Sequence, residues 1–332
     1  MGVIRLKRPF KPLLAVILVS ILFMTTSCYK ENLTVSDKNE KKKNIDVIVK
    51  SRKMDFWKTV RMGAEAAGKE FGVNINFNAP DVEEDVAGQI RMVNDAIERR
   101  TDVLVLAASD YKRLVGVVER AVDSNIPVIV IDSALESDKV ACFIGTNNVE
   151  AAMKAGEKLI EYAGEECDVA VISHVKETAT ARQREEGFLK YIEKYPGIKV
   201  VAKEYAFTSS KLAEKITTDI ISKNKDLDAV VGLNAVSATG AARAVSKLGM
   251  AGKIKVIAFD SDPEEIEFIE DGVIQATIVQ NPFSMGYLGV KYAVDIIHGK
   301  SVPKVVDTGL KVIDKENMYT PENQKLLFPF VN

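Results

Sequence analysis

Cysteine, histidine and tryptophan are scarce in this chain, with three, two and one among 332 residues. The cysteines at 28, 142 and 167 lack C-x-x-C spacing, and only His174 and His298 are there to share a metal, so no metal site and no cofactor are expected. A disulfide between Cys142 and Cys167 is open in principle. Both have apolar or small neighbours, however, and two buried thiols are the simpler expectation. An excess of charge is also missing, since 45 basic residues face 47 acidic ones. These charges are mixed along the chain apart from Lys41-Lys42-Lys43, and aromatics are modest at 7%, which argues against nucleic acid as a partner. The apolar run at residues 13–24, broken only by Ser20, is short as well. As a helix it would rise only about 18 Å, well under the ~20 residues that span hydrocarbon.

What is present begins at that run. Arg5, Lys7, Arg8 and Lys11 precede it, and Thr25-Thr26-Ser27 leads from it into Cys28. A basic start, a short apolar stretch and small residues make an export signal. The segment resembles a bacterial lipoprotein signal, which implies removal of residues 1–27, a lipid on Cys28 and anchoring to the cell membrane. Thr25 departs from the aliphatic residue usual at that position. An ordinary secretory signal or an uncleaved anchor would equally place the bulk of the chain outside the cytoplasm. Residues 28–43 are polar and are expected to form a disordered tether. Without the four cations of the signal the charge is near −6, and the 305 residues left after removing 27 from 332 suffice for two domains.

From Asn44 onward, short β-branched runs alternate with amphipathic stretches of helix length. Residues 46–50, 73–77, 103–107 and 128–132 are strands of one set; 169–173, 200–206, 229–233, 255–259 and 276–279 are strands of a second. Near-continuous apolar strands separated by helices predict doubly wound parallel α/β sheets, and the restart predicts two lobes. The helix at 282–298, opened by Pro282, is expected to cross back to the first lobe, and a crossing near 306–310 to return the tail to the second. The lobes then comprise residues 44–146 with 282–307 and 147–281 with 308–332, joined by a three-stranded hinge.

Ligands of open parallel sheets lie beyond the carboxyl ends of the strands. There the sequence places Ser51, Phe56, Trp57, Asp132, Ser133, Asn234, Asp260 and Gln280, with Arg182 and Arg184 opening the helix after His174. Carboxylates accept, an arginine fork donates, Asn and Gln do both, and aromatic faces cover C–H surfaces, so the collection suits a polyhydroxylated ligand. Each also has a plainer reading. A strand-end Asp is often only a helix cap, Phe56 and Trp57 could be core, and Arg182 is expected to be a solvated surface residue.

A run of short motifs then carries a resemblance. They are Ser51 with Phe56-Trp57 and Gly63-Ala64, IPVIVID at 126–132, GTNN at 145–148, ARQREEGF at 181–188, GLN at 232–234, AFD at 258–260, and TIVQ at 277–280 followed by Gly286. In this order and spacing, over residues 44–312, they resemble the ribose-binding-protein family of periplasmic sugar-binding proteins. That resemblance implies that Phe56, Trp57 and Asp132 contact a sugar from the first lobe and Arg184, Asn234 and Asp260 from the second, with Gln280 beside the hinge. Phe207 would be the aromatic expected before the following helix, although Thr208 competes for that place. Ribose binders of the family have Asp-Arg where this chain has Asp132-Ser133, so ribose is disfavoured and a larger or differently configured sugar, or a polyol, fits as well. The resemblance further implies a monomer that delivers its ligand to the permease of an ABC transporter. A sensor subunit docking a receptor or histidine kinase is the alternative. A repressor would need a DNA-binding segment before Asn44, and an Asp132–Asp260 glycosidase pair would suffer from Arg184, which keeps a carboxyl ionised, so no enzyme is expected.

Overall fold

The computed structural model describes Gly2 and residues 42–328; the signal, Cys28 and most of the expected tether lie outside the described residues. Residues from Lys42 onward form one compact unit. Its strands are β1 (Asn44–Ile48), β2 (Asn74–Asn78), β3 (Val103–Leu106), β4 (Val128–Ile131), β5 (Cys142–Gly145), β6 (Glu166–Ser173), β7 (Gly197–Tyr205), β8 (Leu227–Gly232), β9 (Lys255–Phe259), β10 (Ile274–Val279), β11 (Val305–Asp307) and β12 (Lys311–Asp314). The helices are α1 (Asp55–Phe71), α2 (Val86–Glu98), α3 (Val115–Asp123), α4 (Asn148–Ala163), α5 (Ala179–Ile192), α6 (Ser210–Lys223), α7 (Ala235–Lys247), α8 (Pro263–Glu270), α9 (Pro282–Ile297) and α10 (Pro321–Leu327).

Two six-stranded sheets result, ordered β11-β5-β4-β3-β1-β2 and β12-β10-β9-β8-β6-β7. The orders are the same pattern twice, so the second lobe repeats the first. Central strands such as β3 and β4 are buried at every residue, as strands covered by helices on both faces must be. The edge strands differ. β2 reads NINFN and β7 exposes several of its nine residues, so the apolar continuity expected for 73–77 and 200–206 holds only where both faces are covered.

The chain passes between sheets after β5, after β10 and after β11. The last passage produces a difference from the all-parallel expectation, because β12 pairs antiparallel with β10. β11 runs parallel to β5 and so arrives at the hinge end, and residues 308–310 are too few for a crossover; the chain must enter the second sheet where β10 leaves it. On the first lobe α1 and α9 pack with their backbones in near contact at Gly63 and Gly286. A Cβ added at Gly63 would collide with the carbonyl oxygen of Phe283, and one at Gly286 with that of Val60.

Candidate ligand site

Lys50 sits two residues beyond β1 and Asp132 immediately beyond β4, at the carboxyl edge of the first sheet. His174, Asp260 and Gln280 follow β6, β9 and β10 directly, and Asn234 lies two residues past β8, at the matching edge of the second. The two edges face each other. Together with Met54, Phe56, Trp57, Glu83, Thr180 and Arg184 these residues line a small cavity between the lobes.

Asp132 and Asp260 occupy equivalent places in the repeat. Each has a left-handed backbone, with φ of 58° and 74°, and each donates its N–H to the neighbouring strand, Asp132 to Ile144 O (2.9 Å) and Asp260 to Ile278 O (3.0 Å). Asp and Asn tolerate this region better than other non-glycine residues, but at a local cost that clusters at functional sites. The turn swings each carboxylate off the strand line into the cleft.

Around them the polar groups are locked. Lys50 Nζ lies 3.0 Å from Asp132 Oδ2 and 3.7 Å from Glu83 Oε2, and Trp57 Nε1 donates to Glu83 Oε1 at 3.0 Å. Burial alone would lower the Lys50 pKa; Asp132 and Glu83 outweigh it and hold the ammonium above its ordinary range. Burial raises Glu83, with Lys50 opposing. Across the cleft, Arg184 donates through Nε to Asn148 Oδ1 (2.8 Å) and through Nη1 to Leu233 O (2.7 Å), with its guanidinium 4.6 Å over the Phe259 ring. Gln280 Nε2 donates to Asp260 Oδ1 at 2.7 Å, which leaves Gln280 Oε1 as an acceptor. Buried and without any partner in the lining are His174 Nδ1 and Gln280 Oε1, while Asp132 Oδ2 has only the Lys50 ammonium. Such atoms are costly unless something donates to them.

The family model described as a periplasmic binding protein domain matches residues 45–301. The chain belongs to this family. Among curated relatives, it is 28% identical over 306 residues to the ribose import binding protein RbsB of Bacillus subtilis, covering 91% of this chain and 98% of that protein. The carbohydrate transporter solute binding protein of Agrobacterium radiobacter, solved in complex with D-arabinose, superposes with a TM-score of 0.84 at 34% identity, covering 86% of this chain and 99% of that one. An ABC transporter solute binding protein of Agrobacterium vitis with bound D-fucose gives 0.83 at 36%, with the same coverage of 86% and 99%. The family's two-lobed α/β architecture is the one described above.

Of the residues singled out from the sequence, Phe56, Trp57, Asp132, Arg184, Asn234, Asp260 and Gln280 line the cavity. Ser51, Ser133 and Phe207 do not. Ser51 is fully buried and donates to Asp81 O (3.1 Å), securing the loop after β2. Ser133 is buried behind the lining. Phe207 is 43% exposed at φ 52°, while its neighbour Thr208 reaches the first lobe, accepting from Glu83 N (3.1 Å) and donating to Glu84 Oε2 (2.5 Å). Arg182 is exposed, as expected, yet its guanidinium stands 4.9 Å over Tyr111 of the first lobe, whose N–H donates to Glu177 O at 3.0 Å. Lys50, Met54, Glu83, His174 and Thr180 are the lining residues that sequence reasoning missed. Lys50 and His174 obey the strand-end rule; Glu83 and Met54 sit in irregular segments without periodicity. Cys142 and Cys167 are buried free thiols. Among the described residues no cluster of His, Cys, Asp and Glu could hold a metal ion, and no helix is long and apolar enough to cross a membrane.

Proposed function

We propose that this protein captures a monosaccharide or related polyol in the interlobe cavity and delivers it to the permease of an ABC transporter. The observation that carries the reading is a pair of buried acceptors, Gln280 Oε1 with no partner and Asp132 Oδ2 with only the Lys50 ammonium at 3.0 Å, in one lining with Arg184, Asn234 and Asp260. Sugar hydroxyls donate to such acceptors, and their oxygens accept from Arg184 and Asn234. Phe56 and Trp57, in edge-on contact at 4.8 Å, offer apolar cover. The relatives named for ribose import, or solved with D-arabinose and D-fucose, support the same class of ligand. The family is one of binding proteins, which favours capture and release over chemistry.

Capture would work by closure. Half of the lining belongs to each lobe, so a bridging ligand gains contacts only when the lobes meet, and the populations shift by that difference. The passages between sheets support a three-stranded hinge, with residues 44–146 and 282–307 in one lobe and 147–281 and 308–332 in the other. We place the protein outside the cytoplasm as a monomer, anchored by a lipid on Cys28 and tethered through residues 28–43.

A calorimetric titration with pentoses, hexoses and polyols tests the reading. At least one should bind, and Asp132→Ala or Asp260→Ala should weaken it by about 10- to 100-fold, the scale of a lost charged hydrogen bond, without unfolding the protein. A flat panel, or undiminished binding by both variants, would refute it.

A further inference from the structure

His174 lies at the cavity, is 3% exposed, and has an unpartnered Nδ1. What that nitrogen offers a ligand depends on where the ring proton sits, and the surrounding hydroxyls decide it. The Thr178 hydroxyl has one hydrogen, which goes to Val175 O at 2.8 Å; its oxygen accepts from Ala181 N at 3.1 Å, capping α5. Thr178 therefore has no hydrogen for the imidazole. Thr180 Oγ1 stands 3.2 Å from Thr178 Oγ1 and 3.1 Å from His174 Nε2, while Thr178 Oγ1 is 3.5 Å from the same nitrogen.

Two arrangements are open. If Nε2 were bare, Thr180 would donate to it and two hydroxyl oxygens would face each other with no hydrogen between them. If Nε2 carries the proton, every contact closes: Nε2–H donates to Thr180, Thr180 to Thr178 and Thr178 to Val175 O. The second arrangement leaves Nδ1 as a bare lone pair. Burial, followed by the nearby Arg184 and Lys50 charges, pushes the imidazole well below its ordinary pKa range, which keeps the ring neutral.

We propose that His174, held in the Nε2–H form by the Thr180–Thr178 hydroxyl chain, is a ligand-contacting acceptor of this site that selects for a hydroxyl donor. With Gln280 Oε1 it makes a pair of buried acceptors that no protein group donates to, whereas Asp132 Oδ2 already faces the Lys50 ammonium at 3.0 Å. A ligand that satisfies both must donate two hydrogens, which a neutral polyhydroxylated molecule does and an ether, ester or deoxy analogue at the matching position does not. The inference deepens the sugar-binding reading and, for its ligand, rests on it.

Two experiments on the full chain separate the two claims. Nitrogen-15 NMR of histidine-labelled protein needs no ligand, and since the chain has only two histidines, a His298→Gln variant assigns His174. Nε2 protonated and Nδ1 bare is the expected spectrum, with the single tautomer lost in Thr180→Val; a protonated Nδ1 overturns the proposal. Titrations with D-arabinose, D-fucose and D-ribose, each with its monodeoxy analogues, supply the second test. For the sugar that binds, one monodeoxy analogue should bind wild type about tenfold or more weakly, and His174→Phe should bind parent and analogue alike. Equal discrimination in wild type and His174→Phe overturns the contact, and Thr180→Val gives a second, milder reading should His174→Phe fail to fold. If none of these three binds wild type, the sugar that binds in the wider panel of pentoses, hexoses and polyols takes their place; if that panel is flat the sugar reading fails, and the NMR spectrum alone still upholds or overturns the acceptor assignment.

Discussion

Replacing Lys50 by methionine removes the cation that holds two buried carboxylates together. Its ammonium is 3.0 Å from Asp132 and 3.7 Å from Glu83, and all three side chains are at most 5% exposed. At an effective dielectric of about 20 these distances correspond to roughly 5.5 and 4.5 kcal/mol of attraction before desolvation is subtracted. Removing one partner of a buried ion pair typically costs about 3–5 kcal/mol, because the charge left behind is uncompensated. The variant has one way to reduce that cost, which is to protonate a carboxyl, and Glu83, already raised by burial, is the group that takes the proton. A carboxyl whose folded pKa lies above its unfolded value holds its proton more tightly when folded. Its stability is therefore present at low pH and is lost as pH climbs through that interval. Lys50→Met should accordingly be nearly as stable as wild type near about pH 5 and lose about 3–5 kcal/mol near about pH 8.5. Urea unfolding at the two pH values measures this, and Lys50→Met combined with Glu83→Gln should recover much of the loss at the higher pH. An equal loss at both pH values, or no loss at either, would refute the assignment of Lys50 as the counter-ion of this cluster.

Two further outcomes test the fold. Gly286→Ala drives a methyl group into the backbone of α1 at Val60, where no side chain can rotate away, and should cost about 1–3 kcal/mol by urea unfolding; an unchanged midpoint would show that the helices part freely. Cys142 and Cys167, whose thiols burial pushes up to about 11, should resist alkylation at neutral pH in the folded protein and both react in denaturant, as read by peptide mass mapping; rapid native labelling of either would contradict its burial.

The fold was legible because strands such as β3, β4 and β8 bury both faces and declare it in composition. The aspartates that end β4 and β9 were legible for the same reason: an acid directly after an apolar run is conspicuous. Glu83 was not. It lies in the irregular stretch between β2 and α2, and only the tertiary fold brings it to within 3.0 Å of Trp57 Nε1. Lys50 and Ser51 show how narrow a strand-end rule is, since one residue of register decides which faces the cavity and which turns back to Asp81. Phe207 lies at the other extreme. Its aromatic ring suggests a stacking role, whereas Thr208 is the residue that reaches the first lobe and Phe207, at a left-handed backbone position, stays 43% exposed outside the lining.

The contacts that clasp the two lobes at the rim are distinct in side chain from those that line the cavity. Tyr111 with Glu177, Arg182 over Tyr111, and Thr208 with Glu84 involve none of the lining side chains. In a protein that captures by closing, such clasps scale the affinity for every ligand by a common factor and leave the ratios between ligands untouched. Grip and taste are thus written in separate residues. If the lobes close on the ligand as proposed, editing the rim would retune the concentration at which the protein responds without altering what it responds to.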